Sequence, residues 1–266
     1  ATYASYQGQA NPFLLMWGFL RLANQRGLSL FTYTEVKNLL LESGRIIGVD
    51  TTRGKFFAER VVLATAAWTR KLGELIDHHW NIHTFRASAM VTERFPDLRL
   101  NTIVTSADHI EMEINGPEDA ELTVMALSQT EEGNFLIAQA DRPGEVLDGK
   151  ISHMAPKAMS TIATRFFPIL RKARIIRTWT APTTYTDDGM PLLGPVKDLN
   201  GLILAASFRS AIVNSPVAGE IVTQLIGQGY CDLIDISPFA PERTMNETDT
   251  VYKVKSTKTE SNEMPD

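Results

Sequence analysis

Gly201-Leu202-Ile203-Leu204-Ala205-Ala206 is a short, unbroken apolar run, and Val61-Val62-Leu63-Ala64-Thr65 is a second one far upstream. Neither alternates apolar with polar residues. Each therefore reads as a strand buried on both faces, the kind that fills parallel or mixed sheets flanked by helices. Helical segments follow both. Beyond Ala206, Ser215-Pro216 predicts a helix start, with Val217, Ala218, Ile221, Val222 and Leu225 on one face and Gly227 as its stop. Beyond Thr65, Trp68 and Thr69 lead into a short helix. Buried strands alternating with helices predict an α/β protein.

Toward the N-terminus, Asn11 caps a first helix, Pro12 suits its first position and Gly27 follows its last periodic residue. Leu15, Gly18, Phe19, Leu22 and Ala23 make its apolar face. The chain enters this apolar helix within a dozen residues, which reads as a start inside a domain. Leu28–Tyr33 is rich in strand formers, and Glu35–Leu41 predicts a hairpin with Arg45–Thr52 across Glu42-Ser43-Gly44. From Asn81 to about Ala140 the pattern alternates. Thr84–Thr92, His109–Ile114, Leu122–Leu127 and Asn134–Ala138 predict a separate antiparallel sheet. A second helix is expected from about Pro156 to Phe167. The expected organisation is a discontinuous domain of residues 1–80 and 185–240, an antiparallel domain of 81–184 between its halves, and a polar tail, 241–266. Ligand sites favour such junctions.

Composition narrows the function. The chain has 266 residues, 44% hydrophobic and 21% charged, with a net charge of -5, which argues against a general nucleic-acid binder. Its single cysteine, Cys231, excludes an internal disulfide and suits a cytoplasmic location. No apolar run approaches the roughly 20 residues that span a bilayer, and residues 1–10 lack the features of a signal peptide. Sequence signatures of serine hydrolases, P-loop proteins, zinc proteases and thiol redox centres are absent. The five histidines (His78, His79, His83, His109, His153) have no metal-ligand spacing, so no metal is expected. Gly227-Gln228-Gly229, the only G-x-G, follows a helix instead of opening one, so a dinucleotide fingerprint is missing.

Three spaced segments remain. They are Gly8-Gln9-Ala10-Asn11-Pro12; Val61 through Thr69; and Trp179 with Asp188-Gly189-Met190-Pro191-Leu192-Leu193-Gly194-Pro195, Gly201–Ser207, Phe208-Arg209-Ser210-Ala211 and Ser215-Pro216-Val217-Ala218-Gly219. In order and spacing, over about residues 5–240, they resemble the FAD-dependent oxidoreductases of the D-amino-acid oxidase superfamily. The branch of closest flavour holds glycine oxidase, sarcosine oxidase β-subunits, opine oxidase subunits and the hydrogen cyanide synthase subunit.

The resemblance implies an N-terminally incomplete, Rossmann-like FAD domain with an antiparallel substrate domain, and oxidation of an amine C–N bond by hydride transfer to noncovalent FAD. It assigns cofactor contacts to Ala64, Thr65, Ala66, Trp68, Ser207, Phe208, Arg209, Ser210, Ala211 and Ile212, with Arg209 the catalytic candidate. A surface ion pair is the alternative for Arg209. It also implies that the helix start at Ser215 faces the flavin, where its dipole would favour negative charge. Four departures stand out. Ala66 and Ser207 replace glycines, Ser210-Ala211 replaces Asn-Gly, and Thr183 stands where glycine oxidase carries a carboxylate-binding arginine. Without that guanidinium, an opine-like or other secondary amine is the expected substrate. Phe85, Met90 and Phe135 would roof the substrate or simply fill the core. The rival expectation is a non-catalytic fragment or subunit that needs a partner chain to bind FAD.

Overall fold

The computed structural model describes residues 8–106, 122–143, 150–208 and 210–243. Helix α1, Pro12–Gln25, is capped as its sequence predicts. The Asn11 side-chain oxygen accepts the amides of Phe13 at 3.0 Å and Leu14 at 3.2 Å. Leu28–Tyr33 departs from expectation, forming a loop and turn whose Leu28, Leu30, Phe31 and Tyr33 are exposed. Strand propensity reflects packing on a sheet, and this segment has no sheet position. Strands β1 (Val36–Glu42), β2 (Arg45–Thr51) and β3 (Gly54–Phe57) form an antiparallel sheet. The β1–β2 turn places Ser43 and Gly44 at φ of 48° and 75°, the positive pair a tight hairpin needs.

Strand β4, Val61–Leu63, runs into a 3-10 turn at Ala66–Trp68 and then the short helix α2, Thr69–Glu74. The chain next builds a five-stranded sheet from β5 (His83–Arg94), β6 (Val104–Thr105), β7 (Leu122–Gln129), β8 (Asn134–Pro143) and β9 (Ile175–Tyr185), in the order β6-β7-β8-β5-β9. All its pairings are antiparallel. Helix α3, Met154–Phe166, lies on one face and packs Ala155, Met159 and Ala163 against Met90, Leu127, Phe135 and Ile137. The expected strand His109–Ile114 lies outside the described residues.

The chain then rejoins β4. Strands β10 (Leu192–Pro195) and β11 (Leu202–Ala206) make a three-stranded sheet in the order β10-β11-β4, with β11 parallel to β4 and antiparallel to β10. Leu63, Leu202 and Leu204 point to a core shared with Leu39 and Ile46 of the first sheet. Leu193 and Ile203 face the other way, onto Ile221 and Leu225 of helix α4, Ala211–Gly227. Both faces are covered, which is why these strands read as unbroken apolar runs. Gly201 allows the close approach. Its φ is +88°, and a Cβ there would lie 2.6 Å from the Glu59 carbonyl oxygen.

Helix α4 begins four residues before the expected start at Ser215, so Pro216 lies inside it. An interior proline lacks the amide that would bond the carbonyl four residues back, here Ile212. The Ser215 hydroxyl takes that place and donates to Ile212 O at 2.9 Å. The Ser-Pro pair thus serves as an internal repair and caps nothing.

Candidate functional site

Among the described residues, β4 and β11 are the parallel pair of named strands; Leu63, the carboxyl end of β4, lies opposite Leu204, and β11 runs on to Ala206. Sites in α/β sheets form beyond such ends. From β4 the chain continues as Ala64, Thr65, Ala66 and Trp68, and from β11 as Ser207, Phe208, Ser210, Ala211 and Ile212. Two segments more than a hundred residues apart in sequence are thereby brought to one edge. Ala64, Ala66, Trp68, Ser210, Ala211 and Ile212 are exposed, Thr65 and Phe208 half-buried. Arg209, between them in sequence, lies outside the described residues.

Two backbone features mark this edge. Ala66 and Ser207 hold φ values of 44° and 58°, a left-handed conformation that costs a residue with a Cβ roughly 1–2 kcal/mol. Glycine would adopt either freely. The Ser207 hydroxyl is buried and has no hydrogen-bond partner, a loss of about 1–3 kcal/mol that a ligand's polar atom would recover. Near it, Ser210 forms no side-chain cap at the start of α4, so the first amides of that helix also want acceptors.

The antiparallel sheet stands over this edge, since β9 lies against the Ala66–Trp68 turn. Of the expected roof residues, Met90 and Phe135 belong to the core under α3. Phe85 is buried and packs edge-on to Tyr185 with ring centroids 5.2 Å apart. Thr183 lies on β9 opposite Phe85.

A third wall is the Asp188–Pro195 segment that the resemblance had singled out; what holds it in place was not legible beforehand. Leu192 pairs with Ala206, so the loop Thr186–Pro191 leading into β10 also ends beside Ser207. Asp188 accepts from Thr186 Oγ1 at 2.8 Å, from the Met190 amide at 2.9 Å, and from Arg243 Nε and Nη2 at 2.7 and 2.8 Å. Burial alone would raise the Asp188 carboxyl. The Arg243 fork, with the Met190 amide and Thr186 hydroxyl, outweighs burial and holds it down at about 2. Next to this clamp Asp187 bonds His83 and Asn81. Asn81, Asp187, Glu242 and Arg243 line a polar cavity of about 320 Å³. Arg243 falls within the stretch read from sequence as a polar tail, of which residues 244–266 lie outside the described residues. The one clue was Asp188 itself, a carboxylate in a turn otherwise apolar on its far side.

Among the described residues no cluster of three His, Cys, Asp or Glu could hold a metal, and no helix is long and apolar enough to cross a membrane.

A parallel pair with an open carboxyl edge, set beneath an antiparallel sheet, defines a mixed α/β protein of the flavin-oxidase architecture. The chain belongs to the DAO family of FAD-dependent oxidoreductases, whose match runs over residues 1–225. It is 27% identical over 240 residues to hydrogen cyanide synthase subunit HcnC of Pseudomonas aeruginosa, covering 88% of this chain and 52% of that one. It is 26% identical over 243 residues to sarcosine oxidase subunit beta of an Arthrobacter species, covering 91% of this chain and 56% of the relative. The crystal structure of L-proline dehydrogenase from P. horikoshii superposes with a TM-score of 0.77 at 27% identity, over 88% of this chain and 60% of that one. The chain thus spans between half and two-thirds of the length of these relatives.

Proposed function

We propose that this chain forms the substrate side and the ring-binding edge of a flavin-dependent enzyme that oxidises the C–N bond of a secondary amine. The observation that carries the reading is the meeting of Ala64–Trp68 with Ser207–Ile212 at the carboxyl ends of β4 and β11, under β9. When bound, FAD would supply a two-electron acceptor. The chain's own residues would do the rest. Ala64, Thr65, Ala66 and Trp68 form one side of the slot, and Ser207, Phe208, Ser210, Ala211 and Ile212 form the other. The Ser207 hydroxyl and the first amides of α4 offer polar contacts to the ring's edge. Arg209 is retained from the sequence as the catalytic candidate.

The secondary-amine assignment draws on the similar proteins. Thr183 lacks the charge and the paired donors of an arginine, so a substrate carboxylate, in glycine as in sarcosine or proline, would be held by other groups. Sarcosine and proline, in the names of two similar proteins, are both secondary amines. Cys231, the single cysteine, accords with a cytoplasmic enzyme.

A second reading has its own observation. Helix α1 buries none of its residues, and two relatives are named as subunits. On that reading the chain needs another polypeptide to bind FAD. Visible absorption of the purified chain with added FAD separates the two. Protein-bound bands near roughly 370 and 450 nm, bleached anaerobically by sarcosine or L-proline, support the enzyme. Uptake of FAD only with a co-expressed partner supports the subunit. Bound flavin bleached by glycine but by neither secondary amine would sink the substrate assignment.

A further inference from the structure

We propose that Arg243 is a positioning residue for the cofactor edge. Its guanidinium fixes the loop Thr186–Pro191 beside the end of β11, which makes the segment Pro241–Arg243 part of the working site. This rests on the flavin-binding reading given above.

The donor count supports it. Arg243 Nε and Nη2 grip the two Asp188 oxygens at 2.7 and 2.8 Å. Nη2 also reaches Met190 O at 2.8 Å, and Nη1 reaches Pro191 O at 3.2 Å and Ala240 O at 3.3 Å. All but the last of these bonds end on the loop. The pair is well shielded, with side-chain exposures of 12% and 16%, so water competes poorly for it. A planar fork is needed to meet both carboxylate oxygens and three carbonyls at once, and lysine has none.

The loop is over-determined from within as well. Thr186 Oγ1 lies 2.6 Å from Met190 O and Gly189 N donates to Thr186 O at 3.0 Å. Met190 is therefore held at both its amide and its carbonyl, while its side chain stays exposed. Pro191 then enters β10, where Leu192 sits opposite Ala206. Rigid backbone with a free side chain, two residues before the Leu192–Ala206 pair, is the arrangement of a site wall. Tying down a chain end would need only one of these bonds.

The rival account is a staple that adds stability and nothing else. R243A and R243K separate the two, the lysine variant keeping the charge should R243A fail to fold. Met159→Ala, in the core under α3 and away from the edge, serves as a control of lowered stability. Measurements are made on the FAD-loaded protein well below every variant's melting point. The expected result is roughly tenfold faster amide exchange at Gly189 and Met190 in both Arg243 variants. With it should come a rise of about fivefold or more in the FAD dissociation constant and a higher KM for sarcosine, since small displacements at a site are costly. M159A should match wild type in all three.

A lowered melting point with unchanged FAD affinity and KM overturns the proposal, as does an equal loss of FAD affinity in M159A. Unchanged exchange at Gly189 and Met190 overturns it too. If the wild type binds no FAD in any preparation, the functional reading falls and takes this inference with it, while altered exchange alone would identify a staple.

Discussion

Ala66 and Ser207 hold left-handed backbone at the ends of β4 and β11, at the two positions where a glycine would be comfortable. In Ser207 the strain is compounded by a buried hydroxyl with no partner. S207G should relieve both, gaining about 1–4 kcal/mol after subtraction of the roughly 0.4–1 kcal/mol that glycine returns to the unfolded chain. If the hydroxyl serves a ligand, FAD affinity should fall in the same variant. Urea unfolding and flavin titration check this pair of opposite signs, and a stabilised variant with undiminished FAD affinity would remove Ser207 from the site. Asp188 yields a second prediction. Its folded pKa of about 2 is depressed below 3.8, so its stabilising contribution is complete above pH 3.8 and is lost as pH falls through 2. A shift of that size is worth up to about 2 kcal/mol, less where solvent screens the pair. Thermal unfolding between pH 5 and pH 2 should therefore fall more steeply for wild type than for D188N, the difference closing at the acid end.

At the scale of the element, helix α4 carries its own repair. Ser215 serves the Ile212 carbonyl because Pro216 has no amide to offer. S215A should cost about 0.5–1 kcal/mol, and this cost should vanish in the P216A background, where residue 216 regains its amide. A double-mutant cycle by chemical denaturation reads the coupling directly, and additive effects would refute it. The same pair explains a misreading. Ser-Pro is a strong helix-start signal, and nothing in the local pattern distinguishes a start from an interior mend. The Gly201 strand was legible because both its faces are covered, which leaves an unbroken apolar run. The hairpin of β1 and β2 was legible in Ser43-Gly44. Leu28–Tyr33 misled because propensity alone does not say whether a sheet is there to join. The Asp188–Arg243 clamp spans 55 residues and leaves no periodic trace. G201A tests the close approach of β11 to β4. With 2.6 Å between the new Cβ and Glu59 O and a strained φ, it should cost about 2 kcal/mol or more, read by urea unfolding. A neutral G201A would mean that the strand ends can separate without penalty.

For the whole molecule, the uneven coverage of apolar surface is informative. The cores between sheets and under α3 and α4 are closed, whereas α1 exposes Phe13 at 68%, Leu14 at 71% and Trp17 at 60% and buries no residue at all. Its Asn11 cap and Pro12 are helix-start features of good quality, so the sequence commits to this helix independently of any packing. A helix of 14 residues is nonetheless marginal in water when nothing covers it, because nucleation is costly and propensity adds little per residue. In the isolated chain, amides of α1 should exchange about a hundredfold or more faster than those of β11 and the buried half of α4, whose opening requires loss of a core. Trp17 should fluoresce as a solvent-exposed indole. Covering of α1 by another polypeptide, or by further sequence of the same one, should slow that exchange and shift Trp17 emission to the blue, without altering β11. Hydrogen exchange resolved by segment makes the comparison. If α1 in the isolated chain is as protected as β11, its apolar face is already buried, and the reading of this chain as a unit that needs a complement loses its structural support.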